Sequence, residues 1–180
     1  MSLINVIIIA IGLSMDAFSL AILYGTLNFN IKKIMLLSSS VGMFHFFMPL
    51  IGNAFGQFIM SFVPIKSNEI VGIIFLFLSI EMIISLFKEE DAVDLKGFWS
   101  IILFAFTVSI DSFSVGIGLS AIYSNRFLAV LVFSVISFLF TFSGLLLGRF
   151  LSQKLGKVSI LIGSIVLLCL SFDYLFFYTC

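Results

Sequence analysis

Six long hydrophobic runs, each ended by charged or turn-forming residues, follow one another along the chain. A run of about 20 residues is the length of an α-helix that crosses the hydrocarbon core of a bilayer. Membrane-spanning β-strands would place polar residues at every second position, and these runs do not. The pattern therefore predicts an all-α polytopic membrane protein with six transmembrane helices. The predicted helices extend from Leu3 to Tyr24, Ile34 to Ile59, Ile70 to Phe87, Phe98 to Tyr123, Phe127 to Leu147 and Val158 to Tyr178.

Composition agrees with this pattern and excludes other classes of protein. Of the 180 residues, 62% are hydrophobic and 10% are charged, and the mean hydropathy is +1.31. The six helices leave only short connections, so we expect a single membrane domain over residues 1–180 without a soluble catalytic domain. Nine basic residues balance nine acidic ones, which excludes a nucleic-acid partner because no basic surface is available for phosphate.

Basic residues are distributed unevenly between the two sides of the predicted bundle. The connections after helices one, three and five contain Lys32, Lys33, Lys88, Lys96, Arg149, Lys154 and Lys157. The opposite connections contain only Lys66 and Arg126. Since Lys and Arg of short connections prefer the cytoplasm, both termini are expected outside.

An internal repeat relates the two halves of the chain. Residues 14–19 (SMDAFS) and residues 109–114 (SIDSFS) are identical at four of six positions, 95 residues apart. Gly52 and Gly56 correspond to Gly144 and Gly148, 92 residues apart, and Glu81 corresponds to Asp173 at the same distance. Because each half contributes three helices, the pattern predicts two inverted three-helix repeats, at about residues 1–90 and 97–180.

Two aspartates, Asp16 and Asp111, lie near the middle of their predicted helices. An ionised carboxylate there costs at least ~2.5 to 3.5 kcal/mol, and no basic residue lies within any of the six helices. A bound cation or a proton is left to compensate the charge, and an inverted repeat brings the two aspartates together at the midplane. The oxygen ligands predicted around them are Ser14, Ser19, Ser109 and Ser114. The alternative is a pair of protonated aspartates that hydrogen-bond between helices.

Three further residues are candidate relay or secondary sites. Glu81 and Asp173 fall in opposite halves of helices three and six, where they would extend a path across the bilayer or be solvated at the interface. His45, the only histidine, would ligate a metal or relay a proton, or else hydrogen-bond within the bundle. Pro49 follows one turn later and frees a backbone carbonyl near His45.

The chain resembles the bacterial manganese efflux pump family over nearly its whole length. The resemblance is carried by AIGLSMDAFSLAI, GMFHFFMPLIGNAFG, AFTVSIDSFSVGIGL and SGLLLGRFLSQKLGK. It implies a six-helix protein of the bacterial inner membrane that exports Mn²⁺, with Asp16 and Asp111 at the positions of the functional aspartates. The chain departs from the family pattern at Glu81, His45 and Asp173, so the cation that it selects is left open.

The leading hypothesis is a secondary transporter that exports a divalent cation, most simply Mn²⁺, in exchange for protons. Mn²⁺ is then a transported substrate, and no cofactor is expected. An exporter of another cation or of a small organic solute, and a non-transport membrane protein, are the alternatives. An intramembrane aspartyl protease is disfavoured because neither aspartate follows a glycine, so the chain is not expected to be an enzyme. A homodimer in the lipid bilayer is left open.

Overall fold

The computed structural model describes residues 3–61, 67–88, 95, 97–119, 125–150 and 153–177. Within these ranges all regular structure is helical, as the hydrophobic pattern predicts. The helices are α1 (Leu3–Gly25), α2 (Ile31–Met60), α3 (Ser67–Ser85), α4 (Phe98–Val108), α5 (Ile110–Ile117), α6 (Arg126–Leu147) and α7 (Gln153–Phe172), and a π-helical turn (Asp173–Phe177) follows α7.

Five helical segments are long and apolar enough to cross a membrane. They are Leu3–Gly25, Ile31–Phe58, Phe98–Ile117, Arg126–Leu147 and Leu155–Phe176. The third of these combines α4 and α5. Helix α3 forms where the sequence predicts it but is not among the five. The prediction of a multi-pass α-helical membrane protein is confirmed, and five of the six predicted spans meet these criteria.

Large apolar side chains cover the outside of the bundle. Met43, Phe58, Phe77 and Phe127 each expose 60% or more of their surface. A soluble protein rarely exposes so much contiguous apolar surface, whereas a bilayer accommodates it.

Helix α2 crosses close to α5, and α6 crosses close to α1, through pairs of glycines. A Cβ atom added at Gly52 or Gly56 would collide with the backbone of Phe113 or Ile117 in α5. In the same way, Gly144 and Gly148 lie against the backbone of α1. These contacts show that the four glycines are helix-packing residues, since small residues let helix backbones approach in a membrane. The backbone atoms of α1 that face the second pair are the carbonyls of Phe18 and Ile22.

Helices α3 and α7 are joined by two side-chain hydrogen bonds. The hydroxyl of Ser79 donates to the carbonyl of Ser164 at 2.9 Å, and the hydroxyl of Ser171 donates to the carbonyl of Gly72 at 2.8 Å. Both serine side chains are buried. The other helix pairs differ in how closely they pack. Helix α1 packs along α6 and α7, whereas α3 contacts α5 only slightly.

Helices α4 and α5 form one span that is interrupted at Ser109. The backbone of Ser109 has φ −108° and ψ 5°, and its N–H bonds to the carbonyl of Phe106 in a tightened turn. Helix α1 runs without interruption through Ser14, the serine of the matching motif. The interruption places Asp111 in the first turn of α5.

Candidate cation site

A cavity of about 470 Å³ lies between α1, α3 and the α4–α5 span. Three acidic side chains line it, one from each of these elements: Asp16 from α1, Glu81 from α3 and Asp111 from α5. The structure therefore brings Asp16 and Asp111 to one cavity, together with one of the two predicted relay residues. The other polar lining residues are Ser85, Lys88, Thr107 and Ser114.

The helical period explains which side chains reach the cavity. On α1, Leu13, Asp16 and Leu20 follow one another at spacings of three and four residues and all line the cavity. On α3, Glu81 and Ser85 share one face in the same way. Asp16 and Glu81 therefore lie on the faces of their helices that line the cavity.

The carboxylate of Asp111 is held by the start of α5. It accepts the backbone N–H of Ser112 at 2.7 Å and the hydroxyl of Ser112 at 3.5 Å. Asp16 and Glu81 line the same cavity as Asp111. The N-terminal end of a helix favours a negative charge, but three carboxylates around one cavity still repel one another. The site is therefore suited to a cation or to protons.

Two of the four predicted serine ligands lie between helices and are not among the residues lining the cavity. The hydroxyls of Ser14 and Ser137 are 2.8 Å apart, which joins α1 to α6. The hydroxyl of Ser109 donates to the carbonyl of Ala105 at 2.7 Å and lies 2.8 Å from Nδ1 of His45. Both serines are fully buried, so their hydroxyls serve helix packing in this conformation.

The other two predicted serines are placed differently. Ser114 lines the cavity one turn after Asp111. Ser19 lies against α7, where a Cβ added at Gly156 would be 2.8 Å from its hydroxyl oxygen. Of the four predicted serines, Ser114 is the one that the structure places in the cavity with the aspartates.

His45, a residue of α2, is fully buried and contacts the interruption of the α4–α5 span at Ser109. Its Nδ1 lies 3.1 Å from the carbonyl of Val41. Because the carbonyl of Val41 can only accept, a hydrogen bond at this position requires the proton on Nδ1, and the Ser109 oxygen then accepts from the same N–H. Nε2 has no hydrogen-bond partner in the described part of the chain, and His45 does not line the cavity.

Asp173 is half-buried at the start of the π-helical turn and is not among the cavity residues. Its neighbour Tyr174 is fully buried against Phe75 of α3, with the ring centroids 5.6 Å apart. In this conformation the two predicted relay residues are therefore not equivalent, because only Glu81 faces the cavity.

Sequence reasoning missed Ser85 and Lys88. Ser85 follows Glu81 by four residues on the same face of α3, so the helical period was the signal that could have found it, whereas Lys88 lies in the turn after that helix. Among the described residues, no three His, Cys, Asp or Glu side chains are grouped closely enough to hold a metal ion. The three carboxylates therefore surround the cavity without forming a complete set of metal ligands.

The helical bundle and its acidic cavity define a polytopic membrane protein with an internal polar site. The family model described as "Putative manganese efflux pump" matches residues 28–175. The chain belongs to the manganese efflux pump family, which confirms the resemblance drawn from its motifs. By its description this family consists of efflux transporters rather than enzymes.

Relatives named "Putative manganese efflux pump MntP" match nearly the full chain. The protein of Bacillus velezensis is 38% identical over 167 residues, covering 92% of this chain and 90% of the relative. The protein of Geobacillus thermodenitrificans is 35% identical over 170 residues, covering 94% and 93%. The protein of Bacillus pumilus is 34% identical over 175 residues, covering 97% and 95%. No solved structure matches the chain.

Proposed function

We propose that this protein exports Mn²⁺ through the acidic cavity in exchange for protons. The observation that carries the proposal is the convergence of Asp16, Glu81 and Asp111 on one cavity. Carboxylate and hydroxyl oxygens suit Mn²⁺, and Thr107 and Ser114 supply hydroxyls beside the carboxylates. The names of the relatives support Mn²⁺ as the cargo.

An incomplete ligand set is consistent with transport. A site that must release its ion cannot bind it too tightly, and an incomplete set of protein ligands allows such release. Mn²⁺ leaving the cell against an inside-negative potential costs ~4.6 kcal/mol per 100 mV, so export needs an energy source. Protons are the simplest source, because carboxylates lose protons to bind a metal and regain them after release.

The cavity is proposed to open to the cytoplasm. Its lining extends along α3 from Phe77 past Glu81 and continues to Lys88, in the turn that follows the C-terminal end of that helix. The connection beyond Lys88 belongs to the side that carries most of the basic residues, which is the cytoplasmic side in a bacterial inner membrane. Both termini are then outside, and this conformation receives cargo from the cytoplasm.

We further propose that the two halves are inverted repeats, because hydrogen bonds between helices occur in matching pairs. An offset of 92 residues relates Ser79 to Ser171 and Gly72 to Ser164. If each residue is replaced by its counterpart in the other half, the bond from the Ser79 hydroxyl to the Ser164 carbonyl becomes the bond from the Ser171 hydroxyl to the Gly72 carbonyl. The structure contains both bonds. An inverted repeat generates such pairs, whereas unrelated halves would not.

The aspartate motifs follow the same rule. Ser14 and Ser109 are 95 residues apart, and their partners Ser137 and His45 are 92 residues apart. The glycine contacts agree with this relation. The glycines of α2 meet the carbonyls of Phe113 and Ile117, which lie 95 residues after Phe18 and Ile22, whose carbonyls the glycines of α6 meet. These matched contacts support equivalent positions for Asp16 and Asp111 on either side of a two-fold axis.

Mn²⁺ efflux from cells that lack their own exporter tests the proposal. Asp16→Asn and Asp111→Asn should each abolish efflux at equal expression, because each removes a carboxylate from the cavity. Glu69→Gln is the matched control, since Glu69 lies in the first turn of α3 and does not line the cavity. Efflux that persists in both aspartate variants would contradict the site.

Proton exchange is tested separately in inside-out vesicles. Mn²⁺ uptake should follow an imposed pH gradient and stop when a protonophore collapses it. Uptake that is insensitive to the gradient would contradict proton coupling while leaving Mn²⁺ as the cargo.

The volume of the cavity favours one alternative, an exporter of a small organic cation. A volume of about 470 Å³ lies within the range of small-molecule sites. A cationic amino acid would use the same carboxylates. Export of labelled lysine that Asp16→Asn abolishes, without any Mn²⁺ export, would establish this alternative.

A further inference from the structure

The α3–α7 pair makes two different interfaces with the rest of the bundle. On one side, α7 packs closely along α1. On the other side, α3 contacts α5 only slightly, and the acidic cavity lies between α3, α1 and the α4–α5 span. In the proposed repeat, α7 corresponds to α3 and α1 corresponds to the α4–α5 span, so these two interfaces are equivalent by sequence. One is closed while the other is open.

Glycines produce the closed interface between α1 and α7. A Cβ atom added at Gly163 would lie 2.7 Å from the Cβ of Met15. One added at Gly156 would lie 2.8 Å from the hydroxyl of Ser19, and one added at Gly12 would lie 3.2 Å from a side-chain carbon of α7. Bare backbone at these positions lets α1 and α7 approach closely.

The equivalent positions in the open interface carry side chains. Thr107 stands 95 residues after Gly12 and lines the cavity. Val71 stands 92 residues before Gly163, and its side chain meets Gly118, just beyond the end of α5. Helices α3 and α5 are thus in contact near Val71 and separated toward the C-terminal end of α3.

The α3–α7 pair is suited to move as one body. Its two buried hydrogen bonds join the helices to each other rather than to the rest of the bundle. Gly72 also packs against Leu175. A tilt of this pair toward the α4–α5 span would close the cavity and separate α7 from α1.

We propose that the exit path for the cargo opens between α1 and α7 when this pair tilts, and that Ser19 and Asp173 line it as a cation subsite. These residues correspond to Ser114 and Glu81, which line the cavity now. The inference rests on the proposed function for the identity of the cargo. It assigns a role to two polar residues that the cavity leaves unused.

A reversible cross-link tests the movement. In a chain whose Cys169 and Cys180 are replaced by alanine, Ser19→Cys and Gly156→Cys are combined, because these positions are in contact across α1 and α7. Oxidation should reduce Mn²⁺ export to background, and reduction should restore it. Each single cysteine variant, oxidised in the same way, is the control. Export that continues after complete cross-linking would overturn the proposal.

Cysteine labelling tests the path without any Mn²⁺ flux. A membrane-impermeant thiol reagent should label Ser19→Cys from outside and Ser114→Cys from the cytoplasm. Gly163→Val, which prevents close packing on α1, should raise the first labelling rate about tenfold and lower the second. Gly163→Ala is a milder variant for the case in which valine prevents folding. Gly97→Ala is the control, since its added Cβ would make only an ordinary contact, 3.9 Å from the hydroxyl oxygen of Ser100.

The cysteine labelling and the measurement of Mn²⁺ export distinguish a failure of this inference from a failure of the proposed function. If the reagent does not label Ser19→Cys from outside in either the Gly163→Val or the Gly163→Ala protein, the proposed exit path is refuted. Labelling as expected in a protein that exports no Mn²⁺ would support the path and refute the cargo.

Discussion

Removing the two hydrogen bonds between α3 and α7 should destabilise the protein by a small and measurable amount. The bonds from Ser79 and Ser171 have lengths of 2.9 and 2.8 Å and are buried, so water does not replace them. A side-chain hydrogen bond between membrane helices contributes ~0.6 kcal/mol on average and at most ~1.7. The double variant Ser79→Ala/Ser171→Ala should therefore lose about 1.2 kcal/mol of unfolding free energy. In a chain of this size that corresponds to a decrease of about 2–5 °C in Tm.

Thermal unfolding in detergent, followed by circular dichroism at the helical band, measures this loss. Ser40→Ala is the matched control, because Ser40 is only partly buried and its hydroxyl donates to the carbonyl of Leu36 in its own helix at 2.9 Å, in an exposed hydrogen bond. The control should change Tm by less than either single variant. If the Tm of the double variant equals that of Ser40→Ala, the hydrogen bonds between α3 and α7 do not stabilise the pair.

Three other predictions follow from the contacts. Gly52→Ala should cost ~1–3 kcal/mol of stability, because its Cβ meets the rigid backbone of Phe113; a melting temperature equal to that of the unmodified protein would contradict this packing. Mn²⁺ at one hundred times its Kd should stabilise the unmodified protein by ~2.7 kcal/mol, and both Asp111→Asn and a chelator should remove that shift; an equal shift in the variant would place the ion elsewhere. Glu81→Gln should raise the KM for cytoplasmic Mn²⁺ about tenfold by removing a charge from the cavity, whereas Asp173→Asn should leave this KM unchanged in transport assays; the opposite result would place the cavity on the outer side.

The hydrophobic pattern was sufficient to predict the helices, because a bilayer-spanning chain satisfies its backbone polar groups within each segment. Helix α3 shows where this reasoning is weakest. It contains Glu69 and Glu81 among 19 otherwise mostly apolar residues, and the pattern alone does not separate the one that lines the cavity from the one that does not. The sequence cannot show from one segment that a carboxylate faces a cavity rather than lipid.

The similar motifs around Asp16 and Asp111, which both line the cavity, did not indicate the partners of the serines in those motifs. Ser14 and Ser109 each precede their aspartate by two positions. Residues two apart lie on nearly opposite faces of a helix, so helical geometry alone directs them away from the carboxylate. Their bonds to Ser137 and His45 depend on which helices are neighbours, and that is tertiary information.

Local sequence also fails to locate the interruption of the helices. The span breaks at Ser109, where neither glycine nor proline is present. The Ser109 hydroxyl makes a tertiary contact with His45 and a local bond to the carbonyl of Ala105 one turn earlier. Proline is the usual cause of a break, yet α2 continues through Pro49 from Ile31 to Met60. Gly116 packs directly against the backbone of Pro49, and such close neighbours compensate a proline in a membrane helix.

The distribution of acidic residues explains how so small a bundle would keep its cargo neutralised during transport. A divalent cation in the bilayer must have negative charge beside it at every step. In the proposed exchange, Asp16 and Asp111 correspond to each other, so both stay on the path in either conformation. Glu81 and Asp173 also correspond, and each serves one path, so the cation meets three carboxylates before and after the movement. Because the proposed exchange has no other energy source, the direction of transport is set by the Mn²⁺ and proton gradients rather than by the protein.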